Sequence, residues 1–157
     1  MRRLVVSALV LVAPGMRAAA QDARPPEPAK TISIAFGVHY GVPMRTSASI
    51  GVLSDAGGSR NDGFVAMVEP AQQGGEVSAG YFHMLGSFGS GYSVRAALLR
   101  TGGEPWNASA HTTYVGVEAH WMLIFGVGGR VGYLRRASRS VTDPHDHVVS
   151  LGVSIGS

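Results

Sequence analysis

The sequence predicts an all-β protein, an eight-stranded antiparallel up-and-down β-barrel. Apolar residues alternate with small or polar ones at period two in eight separate segments, and helical periodicity is absent beyond residue 30. An even number of strands lets a sheet close on itself through hairpins alone. Gly supplies 22 of the 157 residues and charged residues only 15%. That composition gives a thin polar shell for a soluble enzyme, but it suits a wall whose inner face is crowded.

Each element follows in chain order. Met1-Arg2-Arg3, the apolar run Leu4 to Ala13 and the small residues Ala18-Ala19-Ala20 read as a cleaved secretory signal peptide over residues 1–20, since the run is too short to span a bilayer as a helix. Residues 21–30 carry three Pro close together and read as an extended periplasmic linker. Residues 31–157 are the predicted barrel domain. Its segments are Thr31 to Tyr40, Thr46 to Leu53, Gly63 to Glu69, Glu76 to Leu85, Tyr92 to Arg100, Thr112 to Met122, Phe125 to Leu134 and Val148 to Ile155. Ser54 to Asp62 reads as a long flexible connection into which the second and third strands can extend, and Thr101 to Ser109 and Arg135 to Asp146 read as long, polar, Pro-containing connections on the other side.

Charge placement orients the wall. Ile34, Phe36, Ile50, Val52, Val117, Val127 and Val153 fall on one face, with no charge between the segment ends. Arg95, Glu118 and Arg130 fall on the opposite face of Gly, Ser and Ala, together with His39, Glu69, Glu76 and His120. A narrow lumen accepts the second set, whereas an Arg against lipid costs about 2–4 kcal/mol at the midplane. The predicted barrel is therefore transmembrane, apolar side out. If the last two hairpins before the final strand turn about Trp106-Asn107 and about Ile124, Glu118 lies opposite both Arg95 and Arg130, an internal ion network of one carboxylate and two guanidiniums. Phe64, Tyr92, Trp121 and Phe125 fall at one rim and Tyr40 and Tyr133 at the other, as interfacial girdles would. On this orientation Arg at Val117 should block insertion, and Ser at Gly116 should be tolerated.

Several chemistries lack their residues. With no Cys there is no disulfide, thiolate site or Cys nucleophile. Lys and Arg total 13 against 10 Asp and Glu, but Arg2, Arg3 and Arg17 leave with the leader, so the remainder is neutral and offers no field for nucleic acid. His145-Asp146-His147 has metal-ligand flavour, yet two His and one Asp make a hydrated loop rather than a metal site. The Gly-rich stretches 86–91 and 126–129 precede no helix and lack the phosphate-loop ending. No Gly-x-Ser-x-Gly elbow or triad spacing appears among the Ser and His residues. The expectation is a protein without catalytic residues, cofactor or metal.

The signal peptide, eight alternating segments, lumenal Arg95, Glu118 and Arg130, and long outer connections together resemble the small eight-stranded outer-membrane β-barrel proteins. The resemblance lies in architecture over residues 31–157. It implies an outer membrane of Gram-negative type, insertion by the barrel-assembly machinery, outer-membrane lipid as surroundings, and a structural or adhesive role in which a surface partner meets loops 101–109 and 135–146. Such proteins commonly end on an aromatic residue, whereas this sequence ends Ile155-Gly156-Ser157. Two other readings remain. One is a soluble periplasmic or secreted lipocalin-like barrel holding an apolar ligand, and the other is an outer-membrane lipid-modifying enzyme, for which the His-x-Ser-Asn deacylase pattern is missing.

Overall fold

Eight strands hydrogen-bond in sequence order and the last pairs with the first in a computed structural model of the chain. The structure describes residues 31–56, 59–86, 90–123, 126–137 and 146–156; the predicted leader and linker, Ile124, Phe125 and His145 lie outside them. The strands are β1 (Ile32–Val42), β2 (Arg45–Ala56), β3 (Ser59–Ala71), β4 (Gly74–Met84), β5 (Gly91–Thr101), β6 (Thr113–Met122), β7 (Val127–Arg136) and β8 (His147–Gly156). All neighbours are antiparallel, including the β1–β8 seam that runs from Gly37↔Gly156 to Val42↔Leu151. Closure pairs Gly37–Val42 of β1 with β8, and Ile32–Phe36 are paired on the β2 side alone.

Parity is what the alternation predicts. Ile34 and Phe36 are each 67% exposed and Val117 57%, while Glu118 and Arg130 are 1% and 2% exposed. Two expectations change. The stretch expected to be a long connection is mostly strand, because Ser54 to Ala56 and Ser59 to Asp62 continue the β2–β3 ladder, which shifts register at Asp55/Ala56. Backbone pairing there prevails over the turn preference of Asp, Gly and Asn.

The second change concerns Gly116. A Cβ on it would sit 2.1 Å from the Tyr133 carbonyl oxygen and 2.6 Å from the Leu134 Cα. The wall curves so tightly that the neighbouring backbone occupies the side-chain position, so Ser is not tolerated as expected from the sequence. We expect Gly116→Ala to destabilise the folded barrel by about 1–3 kcal/mol. Gly103→Ala, where nothing lies within 4 Å, should stay within about 0.5 kcal/mol. Urea midpoints of the two variants check this, and equal midpoints would remove the steric account.

Inward-facing side chains form layers. At the loop end Met44, Leu99, Tyr114, Leu134 and Val148 make an apolar plug, each at most 1% exposed. Ala35, Val65, Met67 and Phe82 make a second cluster at the end where β1 begins. Between them lies a polar belt. The lumen is thus less purely small and polar than alternation suggests.

Candidate functional site

All eight strands contribute to the belt. β1 places His39 inward, β2 Ser47 and Ser49, β3 Glu69, β4 Glu76, β5 Arg95, β6 Glu118 and His120, β7 Arg130 and β8 Ser150, all of them buried. Period-two geometry alone delivers them to one axis, because each lies on its strand's inward parity.

Arg95 and Glu118 are directly opposite across β5 and β6, as the hairpin arithmetic anticipates. Arg130 is not opposite Glu118. The β6–β7 register pairs Glu118 with Gly132 and His120 with Arg130, which centres that hairpin one residue later than expected. Arg130 instead reaches across the lumen to β3, where its Nη1 donates to Glu69 Oε1 at 2.8 Å and Oε2 at 2.9 Å. Ser47 also donates its hydroxyl to Glu69 Oε1.

Glu118 has other partners. His120 Nε2 lies 3.0 Å from its Oε2, and the Ser150 hydroxyl donates to its Oε1. In hydrogen bonds the expected two-guanidinium network divides, with Arg130 on Glu69 and Glu118 on His120 and Ser150, while charge still couples Glu118 to both Arg95 and Arg130. Arg95 donates through Nε to Ser93 Oγ at 2.9 Å. Among the described residues no carboxylate forms an ion pair with it. The Arg130–Glu69 pair escapes sequence arithmetic because β3 and β7 are not neighbours. Only the parity of Glu69 signals it.

Serine and histidine meet here without assembling a catalytic triad. His39 Nε2 lies 2.8 Å from Ser49 Oγ, but the nearest carboxylate, Glu69, approaches that same nitrogen at 3.8 Å while Nδ1 has no partner. A triad needs the carboxylate on the nitrogen remote from the nucleophile. Ser150 donates its hydroxyl to Glu118 and meets no imidazole, so it is not paired with a histidine base as a triad serine is.

Both rims are also organised. At the end where β1 begins, Asp62 accepts from the Tyr81 hydroxyl and from Ser59 Oγ at 2.8 Å, and lies 2.6 Å from His83 Nδ1. Alternation does not join these residues, because Ser59 and Asp62 fall in the stretch expected to be a connection while Tyr81 and His83 lie in the expected fourth segment. At the loop end the 102–112 connection is tied down. Trp106 N–H donates to the Pro43 carbonyl at 3.0 Å and Gly102 N–H to that of Gln73 at 2.8 Å. The Arg45 guanidinium lies 5.0 Å from the Trp106 ring centre, and Tyr40 meets that ring edge-on. His147 stacks on Tyr133, whose hydroxyl is 2.7 Å from its Nδ1. Among the described residues no group of three His, Cys, Asp or Glu is placed to hold a metal ion.

No family model, curated protein or solved structure matches this chain. The residues themselves therefore carry the functional argument.

Proposed function

We propose that the chain is a non-enzymatic outer-membrane β-barrel of Gram-negative type, held in lipid by its outer wall and presenting its outer loops to surface partners. The observation that carries this reading is the outer wall itself. Exposed apolar side chains encircle it, from Ile34 and Phe36 on β1 through Val52, Val68, Val77, Val94, Val117 and Val131 to Val153 on β8. A typical soluble monomer exposes patches of about 300–600 Å², and a full girdle far exceeds that.

Charge and aromatics support the same orientation. The outward charged side chains described, Asp62, Arg100 and Arg135, sit near strand ends. Phe64, Tyr81, Tyr92 and Trp121 mark one end of the apolar band and Tyr40, Trp106 and Tyr133 the other, as interfacial aromatics do. A band of about nine residues, rising about 3.4 Å each with a tilt of about 40°, is roughly 23 Å tall, close to the hydrophobic height of such barrels. A soluble vessel asks for Ile34, Val117 and Val127 inside, and their exposures of 67%, 57% and 50% favour lipid outside.

Cell fractionation with detergent gels tests the proposal. The protein should partition with outer membranes and migrate differently when unboiled. Recovery in the soluble periplasmic fraction without detergent would overturn it.

A further inference from the structure

The lumen is not filled throughout. On the side of the polar belt away from the apolar plug lies a cavity of about 80 Å³, walled chiefly by Val65, Met67, Phe82 and Met84. Its charged face is Arg95, with His120 beside it, and no carboxylate lines it. In the belt Glu69 is engaged by Arg130 and Ser47 and Glu118 by His120 and Ser150, while Glu76, buried with its Oε1 unpartnered, acts on Arg95 through charge without a hydrogen bond or ion pair to it. Arg95 is only 6% exposed and uses Nε on Ser93. Its terminal nitrogens are left without a hydrogen-bond partner among the described residues, beside a largely apolar space.

We propose that this cavity binds a small amphipathic monoanion, with a carboxylate held by the Arg95 fork and a short hydrocarbon tail among Met67, Phe82 and Met84. A guanidinium presents two parallel donors that match a carboxylate and exceed what a neutral amide or alcohol can use. The space accommodates about five water molecules, the bulk of a fatty acid of about four carbons, and methionine walls adapt to the tail. Gly80 faces Arg95 across β4 and β5, and a Cβ there would lie 2.6 Å from the Arg95 Cα. Glycine thus lets the backbone bearing the anchor pack close. The site goes beyond the membrane proposal, because it lies inside the closed barrel whatever surrounds the wall.

Titrating the full refolded chain in detergent with sodium butyrate, followed by NMR of the Arg95 Nε–H and the Met67 and Met84 methyls, tests the site. Saturable shifts with a Kd on the order of 1 mM are expected for so small a ligand. Butyramide should bind at least tenfold more weakly, as should butyrate to Arg95→Gln. Ala35→Leu, which fills the cavity while leaving the guanidinium in place, should abolish saturation. Absence of saturable shifts with butyrate, equal affinity for butyramide, or unchanged binding by Ala35→Leu would each overturn the proposal. The butyramide comparison needs only the unaltered chain, so a variant that fails to fold leaves the test intact, and fractionation outcomes do not enter it.

Discussion

Arg130→Met should destabilise the folded barrel by about 3–5 kcal/mol, the cost of breaking a buried ion pair from one side. Arg130 is 2% exposed and Glu69 3%. Without the guanidinium, Glu69 keeps the Ser47 hydroxyl but loses both charge-assisted bonds. Methionine fills similar volume, so the loss reports the stranded carboxylate and not a void. Adding Glu69→Gln should recover part of the deficit, because the two side chains act as a unit. Urea titration of the folded gel band gives the comparison. Additive losses in the double variant would mean that Glu69 and Arg130 stabilise the lumen independently.

Val117→Arg should abolish stable insertion, costing about 2–4 kcal/mol if the side chain sits near the bilayer centre. Val117 is 57% exposed midway along β6, flanked on the same face by Val115 and Ala119. The informative control is an inward change of similar position. Gly116 cannot serve, given its contact with the Tyr133 backbone. Ser78→Ala is better, since Ser78 is buried on the inner face and loses only an oxygen. Lipid vesicles should take up the Ser78 variant with normal heat-modifiable migration and leave the Val117 variant unfolded. If the Arg variant inserts as well as the parent, the outer wall does not meet hydrocarbon.

Much of the fold is written in parity. A period of two is imposed by the backbone, so Ile34, Val117 and Val127 could be assigned to one side and Glu118 and Arg130 to the other from spacing alone. Register was legible where a hairpin has one evident centre, as for Arg95 opposite Glu118. It slipped in the β6–β7 hairpin, where a one-residue shift of the turn moves the partner by two.

What spacing hides is contact across the lumen. Arg130 and Glu69 lie on strands that never touch, and long side chains bridge the gap. The plug at the loop end was also hidden. Leu99, Tyr114, Leu134 and Val148 fall at or near segment ends, where alternation has too few residues to weigh. Gly116 illustrates the remaining limit, because its lack of a side chain registers the distance between two backbones, which composition does not contain.

The seam between β1 and β8 carries a kinetic consequence. Gly37 must find Gly156 about 120 positions later in the chain, a pairing of high contact order that becomes available only after the other hairpins have brought the two ends together. Until residues 147–156 dock, β1 and β7 each present unpaired amides and carbonyls, groups that would go unsatisfied in the proposed lipid surroundings. Such a polypeptide gains its stability in one final step, and a version truncated before β8 should accumulate as an aggregation-prone intermediate.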